Sequence, residues 1–234
     1  MDRRQFSARA LSGFALLLTA IHQRAHALSL GDLSHAEAAQ GLTAALEQGA
    51  RAAVSLLGRP DGFLGNDKIR IALPGYLEDA AKLLRAVGQG RRIDELVTAM
   101  NRGAEAAVPM AQDLLVGAVR SMNVGDAKKI LLGGNTAATA FFAEKTRAPL
   151  GRKFLPIVTE ATAKAGLAER YNRVAARAAD LRLVKKEDAT IEQYVTGKTL
   201  DGLYWMIGEQ EKKIRQDPVA SGSALLQKVF GALR

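Results

Sequence analysis

One apolar stripe constrains the chain more than any other feature. It runs from Ile93 through Val97, Met100, Ala104, Val108, Ala111, Leu115 and Ala118 to Met122. Steps of three and four residues mark one buried face of a long helix. Pro109 falls inside the stripe and cannot donate to the carbonyl of Glu105, so a bend is expected there. A stripe of this length needs other helices to cover it, and the flanking segments supply them.

Ser34 and Glu37 have capping-box spacing, followed by Leu42, Leu46, Ala50, Ala53 and Leu57 at helical intervals and a stop at Gly58. Pro74 opens a helix that ends at Gly88. Further helices are expected over 124–132, 136–148, 150–165 and 167–180, with Pro156 kinking one of them. Thr190 and Gln193 open a helix running to Arg215, and Asp217-Pro218 precede a short helix carrying Leu225, Leu226, Val229 and Phe230. "KIRIAL", residues 68–73, alternates like a strand, and "LRLV", 181–184, is its one matching segment. The reading is all-α: a single multi-helix bundle over 28–234 with kinked helices and room for one minor two-stranded ribbon.

Residues 1–27 carry a different message. Arg3, Arg4 and Arg9 precede an apolar run from Ala10 to Ile21, and Ala25-His26-Ala27 has small-x-small form. The run is too short for a transmembrane anchor, so a cleaved export signal with cleavage after Ala27 is expected. The pair Arg3-Arg4 in "RRQF" resembles a twin-arginine address, although Asp2 precedes it and Ser7 stands where leucine is usual. The expected location is the periplasm. Removing four Arg and one Asp from 33 basic and 24 acidic residues leaves 29 and 23, a net charge of +6. Those charges are interspersed along helices, which does not support nucleic-acid binding.

The composition excludes several chemistries. Cysteine is absent, so there is no disulfide framework, thiol catalysis or thiolate metal site. Of the three histidines, His22 and His26 lie in the signal, leaving His35 alone. No metal site and no cofactor are expected.

"KKILLGGNTAATAFF", 128–142, is the stretch most like a phosphate cradle. A phosphate loop needs a preceding strand and the GxxxxGK[ST] frame, and Lys128 and Lys129 precede the glycines instead of following them. The expectation is a corner, with Gly133 as a left-handed stop and Asn135 or Thr136 capping the next helix. "GKT" at 197–199 has Glu192 where that frame needs glycine. "GQGRRI" at 88–93 lacks both the last glycine and a leading strand. Asp61, Asn66 and Asp67 offer oxygens without EF-hand spacing.

"SLLGRPDGFLGNDKIRIALPGYL", "MNRGAEAAVP", "DAKKILLGGNTAATAFF", "KTLDGLYWMI" and "EKKIRQDP" occur in this order. Together they resemble the bacterial domain of unknown function 4197 family, from about Gly41 to Leu233. The resemblance implies an exported helical protein and no assigned activity.

Tyr194, Lys198, Asp201 and Trp205 share one strip of a helix whose other face carries Leu200, Leu203, Ile207 and Ile214. A Lys–Asp pair beside two aromatics can orient a ligand with a polar head and an apolar body. The simpler reading is an i, i+3 ion pair covered by aromatics. Asn101 lies in the long stripe, where a structural hydrogen bond is the simpler alternative to ligand contact. The function expected is a binding or interaction module for a small amphipathic or lipid-like ligand or an envelope protein partner. The alternatives are a carboxylate-dependent envelope hydrolase using Glu105 or Asp201, and a homo-oligomer docking Leu226, Val229 and Phe230 on a neighbour.

Overall fold

The computed structural model describes residues 35–164, 166, 169, 172 and 190–217. The expected export signal, Ser34, the segments 167–180 and 181–184 as units, and the helix expected after 217 lie outside the described residues. Seven α-helices are described: α1 His35–Leu57, α2 Gly75–Ala86, α3 Gly90–Ala107, α4 Gln112–Arg120, α5 Val124–Leu132, α6 Ala137–Ala163 and α7 Ile191–Gln216. The class is all-α. None of these helices is long and apolar enough to cross a membrane.

The stripe that opens the sequence folds as its spacing dictates. Ile93, Val97, Met100 and Ala104 are buried on α3, and Leu115 and Ala118 on α4. The bend at Pro109 is a short 3-10 turn, Val108–Ala111, which also buries Val108 and Ala111. Helices α3 and α7 both pack on α6, and α1 packs on α7 and α4. Leu42, Leu57, Met100, Leu115, Phe142, Phe154 and Leu203 thereby join one hydrophobic cluster.

Two expectations about helix boundaries change. Segments 136–148 and 150–165 form one helix, α6, which continues through Pro149 and Pro156. Each proline removes a backbone hydrogen bond. Yet Ala138, Phe142, Thr146, Leu150, Phe154, Val158 and Thr162 are all buried at four-residue steps, and packing on both neighbours outweighs the local preference. Gly133 is not left-handed: its φ is −80° and its ψ 171°. Glycine is required there because a Cβ would stand 2.5 Å from Cβ of Ala137 and 2.7 Å from the Lys129 carbonyl oxygen.

The strand expected over 68–73 is absent, and no strand occurs among the described residues. Residues 66–70 form turns, in which Ile69 and Arg70 donate N–H to the Asn66 carbonyl at 3.1 and 2.8 Å. Ile69 is half-buried at the end of the turns and Ile71 is buried just after them, and the partner of Ile71 is a side chain. Asn101 Oδ1 accepts from Ile71 N–H at 2.8 Å, while Asn101 Nδ2 donates to the Ile71 carbonyl at 2.9 Å. One amide does here what a neighbouring strand does in a sheet.

Candidate functional site

The glycine corner is the first place to look for a ligand, and the protein fills it. Thr136 precedes α6 without capping it through its side chain. Glu211, from α7, accepts instead from the N–H groups of Ala138 and Thr139 at 3.0 and 2.9 Å, and from the Thr139 hydroxyl at 2.8 Å. A helix N-terminus attracts an anion through its unpaired N–H groups and its dipole. Here the anion is a buried side chain. Arg215 balances it at 2.9 Å and donates also to the Ile130 carbonyl at 2.8 Å.

A second carboxylate acts in the same way on the loop before α2. Glu105 Oε1 accepts from the successive N–H groups of Phe63 and Leu64 at 3.0 and 3.1 Å. Its other oxygen meets Arg102 at 2.6 Å, and Arg102 reaches Asp61 at 2.8 Å. The hydrogen bond that Arg102 donates to Glu105, then the one it donates to Asp61, raises the Arg102 pKa above its ordinary value. Asp61 is thus tied to an arginine, and Asn66 Oδ1 accepts from Lys68 N–H at 3.1 Å. Asp61 and Asn66 thus hold the loop itself.

Loop and clamp together build the wall of an open groove. Residues 68–72 face Tyr194, Lys198, Asp201, Gly202 and Trp205 of α7 across a space of about 390 Å³. The Thr190 hydroxyl accepts from Gln193 N–H and starts α7. The steps of three and four residues among Tyr194, Lys198, Asp201 and Trp205 then put all four along the groove. The Tyr194 hydroxyl donates to the Ala72 carbonyl at 3.1 Å, joining the two walls. A Cβ at Gly202 would stand 2.6 Å from Cε1 of Phe63, so glycine is what lets the loop close on α7.

The expected Lys198–Asp201 ion pair is replaced by other contacts. Asp201 meets Arg147 of α6 at 2.6 Å, and Arg147 also lies 5.8 Å from the centre of the Tyr204 ring. Lys198 Nζ sits 5.8 Å from the centre of the Tyr194 ring. The i, i+3 geometry permits the original pair, but Arg147 reaches Asp201 from the neighbouring helix. Behind Asp201 the Tyr204 hydroxyl and Thr146 Oγ1 are 2.9 Å apart in the core. Burial pushes the Tyr204 phenol pKa up, against the Thr146 hydrogen bond and the Arg147 charge.

Asn101 does not line the groove. It is fully buried, and both amide hydrogens are used, on Ile71 and on the Val97 carbonyl at 2.8 Å. Its link to the groove is indirect, since it grips Ile71, which belongs to the wall. Lys68, Ile69 and Arg70 were missed as groove residues because a strand reading put them in a sheet. Arg147 was missed because its pairing crosses between helices. Among the described residues, no group of three or more His, Cys, Asp and Glu side chains could hold a metal ion.

The profile described as Protein of unknown function (DUF4197) matches residues 32–231, and the chain belongs to that family. No curated protein and no solved structure matches it.

Proposed function

We propose that this is an exported, periplasmic binding protein, its export signal ending at Ala27, and that the groove beside α7 receives a small amphipathic ligand. The supporting observation is the convergence of Tyr194, Lys198, Asp201 and Trp205 with the 68–72 wall on one space of about 390 Å³, within the usual range of small-molecule sites. Trp205 is 39% exposed there, a large apolar side chain left open beside a lysine. A binding role fits the carboxylates better than hydrolysis does. Glu105 is 4% exposed, with two backbone donors and an arginine on it, and Asp201 is engaged by Arg147.

The test is the native mass of the mature protein purified gently from periplasm, compared with its denatured mass. An excess of roughly a few hundred daltons, as suits a pocket at the small end of the range, is expected in the native spectrum. It is expected to disappear in the folded Lys198→Ala, Trp205→Ala double variant. A bare monomer overturns a tightly held ligand, and a multiple of the chain mass favours assembly.

A further inference from the structure

We infer that the groove selects an anionic head group, a carboxylate or a phosphate ester, and seats an apolar portion beside Trp205. This deepens the binding proposal above and rests on it. Three cations, Lys68, Arg70 and Lys198, line the space. None of them has an ion pair among the described residues, whereas Arg85, Arg91, Arg102, Arg120, Arg147 and Arg215 each have one. The single carboxylate in the groove, Asp201, is held by Arg147 at 2.6 Å. Its charge is therefore already balanced by a residue outside the lining, and the three cations remain in excess.

The rest of the lining suits the other end of an amphipath. Ile69 is half-buried and packed against the core, and Trp205 stands half-open opposite. Tyr194 is fixed by its hydrogen bond to Ala72, so its ring holds its place beneath Lys198. An ammonium over a ring face keeps its N–H groups available to an anion. The contrast with the two glutamate clamps points the same way. There the protein gathers donors and supplies its own carboxylate; here it gathers cations, and its one carboxylate is taken by Arg147.

Trp205 is the only tryptophan in the chain, so its fluorescence reports on the groove alone. The mature protein would be titrated with dodecyl phosphate, dodecyl maltoside and dodecyl trimethylammonium, each below its micelle concentration, and with inorganic phosphate. Dodecyl phosphate is expected to shift the emission saturably and to bind at least about tenfold more tightly than the neutral and cationic probes, the scale of one charge-assisted hydrogen bond. Lys198→Gln and Arg70→Gln, checked for retained helicity, are each expected to weaken it by about tenfold, and added salt should weaken it further. Displacement of dodecyl phosphate by inorganic phosphate supports the anion site and names a free anion as its source. No displacement, with tight dodecyl phosphate binding, supports it and names a lipid head group. Equal binding of all three alkyl probes overturns the anion inference and leaves the binding groove standing. No Trp205 response to any probe overturns both. If either variant fails to fold, the ranking of head groups on the native protein decides.

Discussion

The start of α6 and the groove beside α7 both gather groups that favour an anion, and they differ in who provides it. At α6 the N–H groups of Ala138 and Thr139 are closed by Glu211, itself balanced by Arg215. In the groove, Lys68, Arg70 and Lys198 surround a space with no carboxylate of its own left uncommitted. The glycine-rich segment therefore has the appearance of a ligand cradle but is filled by the chain itself, whereas the groove, in the proposal above, is left to a ligand. A helix N-terminus identifies a binding site only where the chain leaves its donors unfilled.

The largest expected effect breaks the closed half of this comparison. Glu211→Ala removes the carboxylate paired with a guanidinium that is 13% exposed and opens two backbone donors. Removing one member of a buried pair costs about 3 to 5 kcal/mol, so the urea midpoint should fall well below that of the wild type. Acetate or phosphate in the buffer should restore part of the loss, by standing in for the missing carboxylate at the start of α6. If Glu211→Ala were as stable as wild type and blind to both anions, Glu211 would not be the cap of α6.

Asn101→Ala comes next and tests whether the groove wall is held from behind. The substitution orphans the N–H and carbonyl of Ile71 and returns the Val97 carbonyl to its helix bond alone. A loss of about 1 to 3 kcal/mol follows from leaving buried polar groups unpaired. Because Ile71 belongs to the wall, the Trp205 emission should also move to the red. A stability loss with an unchanged emission would show that the wall keeps its place through Tyr194 and Ala72.

How much of this was legible in the sequence depends on how local each cause is. The stripe from Ile93 to Met122 and the apolar spacing in α1 are local patterns, and their residues went to the core, with Met122 partly buried against it. The shared strip of Tyr194, Lys198, Asp201 and Trp205 was legible too, since one helix sets it. The pairing of Asp201 was not, because Arg147 lies 54 positions away on another helix. Neither was the cap of α6: Thr136 sits at the start of the helix, whereas the group that fills the role lies 73 positions from Ala138. The alternation of "KIRIAL" was read as a strand because period-two burial looks the same whether the partner is a strand or one asparagine.

Alkaline pH probes the core just behind the groove, with a smaller effect. Burial raises the Tyr204 pKa in the fold, so the unfolded chain loses this proton at lower pH than the native protein does. The stabilisation is fully present below the unfolded value, near 10 for tyrosine, and is lost as pH rises through the higher folded value. Denaturant midpoints should therefore decline through this alkaline window. In Tyr204→Phe that part of the decline should vanish, at the cost of the contact with Thr146. An identical alkaline slope in both proteins would assign the loss to other groups.

The smallest effect on stability is expected at Lys198, which makes it the sharpest test of the open half. Lys198 is exposed, and among the described residues its recorded interaction is with the Tyr194 ring, 5.8 Å away. A surface substitution of this kind changes stability by no more than about 0.5 kcal/mol. Lys198→Ala should accordingly leave the urea midpoint within error of wild type while reducing the affinity for dodecyl phosphate. The opposite outcome, a marked loss of stability with unchanged affinity, would make Lys198 a structural cover for Tyr194. Glu211 and Lys198 would then play the same part on the two sides of α7, each serving the fold, and the difference between the closed corner and the open groove would lie in exposure alone.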